Sequence, residues 1–235
     1  AHTQALGNID TIKIVGTAGS TDITACSEDR AVILNAQFKN PVPEFVGTFG
    51  MPNLGKLKTL LGIEEYREDA KLEIATQKDK DGDDVPCGIN FENKAGDFKN
   101  DYRFMNAEII NDKLKMVKFK GVKWGVDIVP TNASIQRMRF MASANSEVTS
   151  FIAKTENGAL KFFFGDASSH AGNFVFDNNV NGTLTRSWAW PTGIILSILG
   201  LPGDKTLKIS DDGAVMITVD SGIADYNYII TAQSK

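Results

Sequence analysis

The chain is 235 residues long and carries 25 Lys and Arg against 29 Asp and Glu, a formal net charge of −4. A hydrophobic share of 42% is enough for real cores and excludes a disordered chain. The negative total excludes coating of nucleic acid by bulk basicity, and the longest apolar run, 194–199, is far short of the roughly 20 residues of a membrane helix.

Read in chain order, a short helix is possible near Thr3, and residues 11–15 and 31–38 alternate as half-buried strands do. Pro52 and Asn53 then open, and Gly62 stops, a helix whose buried stripe is Leu54, Leu57, Leu60 and Leu61. Lys56 and Lys58 stand beside that stripe. Residues 71–76 alternate again and lead to the run Asp79-Lys-Asp-Gly-Asp-Asp84. Its glycine comes at the fourth position rather than the sixth, and Asn90 stands where an EF-hand needs a bidentate Glu, so it reads as a polar hairpin tip. A Tyr-bearing strand follows at 101–105. From 106 to 123 the chain is neither helix-like nor clearly punctuated, and it carries Lys113, Lys115, Lys118, Lys120 and Lys123. This segment reads either as a solvated edge strand or as an extended connector between domains.

After Pro130, Thr131 or Asn132 caps a helix that buries Ile135, Met138, Met141 and Ala142 and puts Arg137 and Arg139 on the flanks of its polar face. Strands are predicted at 148–152 and 160–164. Asn157-Gly158, Asn181-Gly182 and Asp212-Gly213 read as hairpin turns, because these residues tolerate positive φ. Pro191 opens a third helix that ends at Gly200, and strands follow at 207–210, 215–219 and 225–229.

Two of these stretches repeat one plan: a helix stopped by a glycine (Gly62, Gly200), then strands, then a strand bearing Tyr102 or Tyr226. A repeat on that scale predicts two similar domains, and a doubled helix-plus-sheet unit suits a scaffold better than an enzyme. No metal site or cofactor cradle is visible with two histidines, two distant cysteines and no phosphate loop. The beginning of the chain lacks a signal core, so Cys26 and Cys87 are expected reduced in a cytoplasm-like compartment. Ser169 and His170 suggest a hydrolase only weakly, since adjacent loop residues rarely meet in triad geometry. Trp124, Trp188 and Trp190 could stack bases or pack in the sheets.

The pattern as a whole resembles a DNA polymerase sliding clamp of the T-even-type bacteriophage and proliferating cell nuclear antigen family. Asp101-Tyr-Arg-Phe-Met-Asn-Ala107 resembles the strand closing a first clamp domain. Val122-Lys-Trp-Gly-Val-Asp-Ile-Val-Pro130 resembles the strand opening a second, and 225–232 the terminal strand. The resemblance implies an α+β fold of two DNA-clamp domains, 1–107 and 122–235, with an interdomain connector at 108–121. Antiparallel sheets would lie outside and a few short helices would line a hole. It further implies a homotrimeric ring around double-stranded DNA that tethers a polymerase, is loaded by a clamp loader, works in the (host) cytoplasm and needs no cofactor or catalysis. The residues it points to are Lys56, Lys58, Arg137 and Arg139 for DNA, and Leu114, Met116, Tyr228 and Ile229 for partner peptides. Met105, Ile109, Ile110, Phe174 and Phe176 would serve the subunit interface, with 105–112 pairing as a strand to 172–178 of the next copy. The competing reading is a non-enzymatic phage-type structural or carbohydrate-binding β-sandwich.

Overall fold

A computed structural model describes residues 2–115, 119, 121–166, 168 and 170–233, and the chain divides into two compact units, Ala1–Val117 and Lys118–Lys235. The division falls inside the segment predicted as a connector.

In the first unit a single 3-10 turn at Gln4–Leu6 stands where a first helix was possible. Then come β1 (Ile12–Gly16), β2 (Thr21–Cys26), β3 (Val32–Phe38) and β4 (Gly47–Met51), which run side by side in the order β4-β1-β2-β3. Strict alternation of buried and half-buried residues in β1 and β2 gives this sheet one core face. Helix α1 (Leu54–Gly62) follows, and then a separate antiparallel sheet β5-β6-β7 (Lys71–Lys78, Asp84–Glu92, Lys99–Arg103). The aromatic core couples the sheets: Phe49 of β4 stacks on Phe104 at 4.8 Å, and the Tyr102 hydroxyl donates to the carbonyl of Pro52.

The second unit repeats the plan. After β8 (Val126–Ile128) and α3 (Asn132–Ala144), strands β9 (Ser150–Glu156), β10 (Ala159–Phe164), β11 (Gly172–Asp177) and β12 (Ala189–Pro191) run in the order β12-β9-β10-β11. This is the β4-β1-β2-β3 order of the first unit. Helix α4 (Thr192–Leu199) is followed by β13 (Asp204–Ile209), β14 (Ala214–Asp220) and β15 (Ala224–Thr231), which match β5-β6-β7, with β8 added beside β13. The hairpin β9–β10 closes through Asn157 and Gly158, both at positive φ (52° and 78°), the primed geometry expected of that dipeptide. Asn181-Gly182 is not a hairpin. It lies in the long loop between β11 and β12, where a Cβ on Gly182 would come within 1.9 Å of the Gly125 carbonyl oxygen, so glycine permits a close approach rather than a reversal.

The segment after β7 also departs from expectation. Ala107–Lys113 is a helix, α2, and not part of an extended connector or strand. The Asn106 side chain accepts the Ile109 N–H at 2.9 Å, Glu108 sits in the first turn and Lys113 in the last, an arrangement that suits the helix dipole. A lysine count over the wider window masks this one-turn-plus pattern. Fully buried Ile110 anchors the helix on β4, filling the hollow over Gly50, where a Cβ would lie 2.7 Å from Ile110 Cδ1.

Candidate nucleic-acid interface

Helix α1 starts at Asn53, held at φ 50°, whose side-chain oxygen accepts the Lys56 N–H at 3.1 Å. Leu54 and Leu60 are buried with Leu57 half-buried between them, whereas Leu61, expected in the same stripe, is 56% exposed. Lys56 and Lys58 therefore project on the exposed side, and Leu61 follows Lys58 by one turn. In the second unit, the Thr131 hydroxyl caps α3 by accepting the Ser134 N–H at 3.0 Å, and Ile135 and Met138 are its buried contacts. Arg137, Arg139 and Phe140 are exposed on its other side.

The electrostatics of these helices differ from the rest of the surface. The chain holds 29 acidic residues, yet α1, α3 and α4 contain no Asp or Glu. Elsewhere several lysines are paired, Lys71 with Glu73, Lys94 with Asp69, Lys99 with Glu92, Lys161 with Glu156 and Lys208 with Asp127, whereas Lys113, Lys154 and Lys205 meet the Thr11 hydroxyl, the Phe163 ring and the Gly203 carbonyl instead. Among the described residues Lys56, Lys58, Arg137 and Arg139 have no such partner. Arg137 instead lies over the Phe174 ring at 5.5 Å, and Arg139 reaches the C-terminal end of α4, where its Nη2 lies 3.0 Å from the place a Cβ on Gly200 would take. There the α4 dipole favours a cation. The exposed faces of α1 and α3 can thus contact phosphates by charge, and no base-reading arrangement accompanies them.

No family model matches the sequence, and no curated protein matches it by sequence. Among solved structures, A. fulgidus PCNA with the C-terminal region of FEN-1 bound superposes on it with a TM-score of 0.70. That match has 10% identity and covers 99% of this chain and 93% of that one. PCNA from Thermococcus kodakaraensis matches with a TM-score of 0.65 and 14% identity over 97% and 94%. The fold is that of PCNA.

Within this PCNA fold several expected contact residues take other places. Tyr228 and Ile229 on β15 are 0% and 4% exposed, so they complete the second unit and are not surface anchors for a peptide. Leu114 is half-buried just after α2, and Met116 lies outside the described residues. Of the residues expected at a subunit interface, Ile110 is core and Phe174 and Phe176 belong to an aromatic cluster with Phe162, at centroid distances of 5.8 and 4.4 Å. Large apolar side chains at strand and helix positions are drawn to the core of their own unit first. Ile109, 53% exposed, and Met105, half-buried and bridged to Gly50, remain near the surface.

The alternative chemistries fare no better. Asp79 and its neighbours form the β5–β6 turn, with Asp79 Oδ1 accepting the N–H groups of Asp81 and Asp83 at 2.9 Å each. Trp190 is core, Trp188 Nε1 donates to the Asp211 carbonyl at 2.7 Å, and Trp124 stacks on Phe119. Ser169 lies outside the described residues.

Proposed function

We propose that this chain is a sliding clamp: a processivity factor, with no chemistry of its own, that encircles duplex DNA and tethers a DNA polymerase. Three copies would join head to tail in a ring that a clamp loader opens. The observation that carries this reading is the segregation of charge. Acidic residues are absent from α1, α3 and α4, while α1 and α3 carry cations with no ion-pair partner among the described residues, on a chain that is negative overall. A clamp holds DNA by topology, so weak, sequence-blind phosphate contacts are what it needs. The A. fulgidus PCNA was solved with the C-terminal region of FEN-1 bound, and partner peptides are part of the proposal here as well.

Two strand edges support ring closure. Among the described residues, strands β7 and β11 each pair on one side only, and continuing the sheet from β11 of one copy onto β7 of the next would use both. Since 107–113 is helical, β7 replaces the 105–112 segment as the proposed partner strand. A phage-type structural or carbohydrate-binding sandwich is less favoured, because Trp188 and Trp190, its best sugar-stacking candidates, are committed to packing and hydrogen bonding.

A topological test decides it. Loaded onto a nicked circular plasmid, the protein should survive a high-salt wash and should leave once the plasmid is linearised. Equal retention on circular and linear DNA would overturn the clamp.

A further inference from the structure

The β5–β6 hairpin of the first unit overhangs a cavity of about 590 Å3 that the clamp reading does not use. Val85, Pro86, Cys87, Phe104 and Met105 line it together with Gly47 and Thr48 of β4 and the first turn of α2. At its rim, an exposed ion pair between Lys80 and Glu108 links the hairpin tip to α2. An exposed pair of this kind holds weakly and can open.

The main chain of Thr48 selects the class of ligand. Gly50 exchanges both of its main-chain hydrogen bonds with Met105, at 2.9 and 2.8 Å. In an antiparallel ladder, residues two apart aim their N–H and C=O groups to the same side. Thr48 therefore aims its pair as Gly50 does, away from β1 and toward the cavity. The chain leaving Met105 cannot meet it, because Asn106 caps α2 and the backbone turns helical at Ala107. Thr48 is left as an open rung beside an apolar floor, the arrangement that an added strand completes.

Charge narrows the ligand further. The hairpin tip and the first turn of α2 carry Asp79, Asp81, Asp83, Asp84 and Glu108 against Lys78 and Lys80, and the carboxylates of Asp79 and Asp81 make no ion pair among the described residues. The rim is therefore locally acidic. We propose that this groove binds an extended segment of a protein partner, which adds a rung at Thr48, sets an apolar side chain on the Val85–Phe104 floor and places a Lys or Arg beside Asp79 and Asp81. The site lies within the first unit and does not depend on ring formation.

Panning a displayed library of random twelve-residue peptides on the full chain, followed by calorimetry with the enriched peptides, tests this. Enriched sequences should share an apolar residue flanked by Lys or Arg. Thr48→Pro removes the outward N–H, which makes no ladder bond to β1, so it should weaken their binding by about tenfold while the chain still folds. Asp79→Lys with Asp81→Lys should weaken it by a similar factor. A bulky maleimide on Cys87 in a Cys26→Ser background should block the groove without touching the backbone. The proposal fails if no peptide is enriched, or if the enriched peptides bind these variants as tightly as the parent. It also fails if Thr48→Pro changes the molar mass in solution without peptide, since a second copy would then own the groove.

Discussion

Lys56, Lys58, Arg137 and Arg139 are exposed, and the fold owes little to the two lysines. Replacing Lys56 and Lys58 with alanine should leave the melting temperature within a degree or two, because exposed charges contribute about 0–1 kcal/mol, whereas Arg137→Ala should also lose the contact with the Phe174 ring, about 0.5–1 kcal/mol. Each lost phosphate contact should make the log–log salt dependence of DNA binding shallower by about 0.9, measured by titration at several ionic strengths. An unchanged slope in all of the variants would remove these helices from the DNA surface. Arg139→Ala should in addition lower stability slightly, since its guanidinium sits at the end of α4. Asp211 carries a different prediction. Partial burial raises its pKa, but bonds from the Thr185 hydroxyl and N–H and from the Arg186 N–H outweigh that and leave it lowered. With the folded pKa below the unfolded one, its contribution is complete above the unfolded value and is lost as pH falls through the folded value. Thermal melts from neutral pH into the acid range should therefore show the gap between the parent and Asp211→Asn closing as pH falls. A constant gap would show that the carboxylate's charge is irrelevant there.

At the scale of elements, α2 shows how little is needed to make a helix when its ends are satisfied. One cap and one buried isoleucine over a glycine hollow in β4 hold it, helped by side-chain contacts of Glu108 with Lys80 and of Lys113 with Thr11. Ile110→Ala should cost about 2–5 kcal/mol, and Gly50→Ala, which pushes a methyl into the same space, about 1–3 kcal/mol. Urea unfolding followed by far-ultraviolet dichroism would measure both. A loss below about 0.5 kcal/mol for Ile110→Ala would mean that the helix is not held by this contact. The repeat of helix, glycine stop and Tyr-bearing strand was legible because local signals carry it: Pro and Asn at helix starts, period-2 alternation in strands, Asn157-Gly158 in a primed turn. α2 was not legible, since seven residues give too short a period to stand out among lysines.

For the whole molecule, the prediction is an oligomer closed by β-strand edges. Light scattering should give three times the 25.6 kDa chain mass across a wide concentration range. Proline at Asn173 or at Phe174 separates the inward and outward N–H groups of β11. The outward one should leave a folded monomer, whereas the inward one should disturb the β10–β11 ladder and lower stability. Trimers surviving in both variants would place the junction elsewhere. The exposed candidate residues were partly legible at this scale: cations on an otherwise acid-free helix can be read from spacing. The interface and docking residues were not, because Ile110, Phe174, Phe176, Tyr228 and Ile229 look alike in sequence whether they fill a core or meet a partner.

By itself the sequence determined the doubled plan, the antiparallel strands and the exposed cations of α1 and α3, all of which follow from residue periodicity and turn chemistry over a few neighbours. Tertiary structure alone decided which apolar residues are surface and which are core. Leu61 turned outward and Ile110 inward because burial depends on what stands opposite, here Gly50, and no local pattern records it. The open rung at Thr48 has the same origin. It exists because Met105 pairs with Gly50 and the chain then turns into α2, a juxtaposition of segments more than fifty residues apart that only folding brings about.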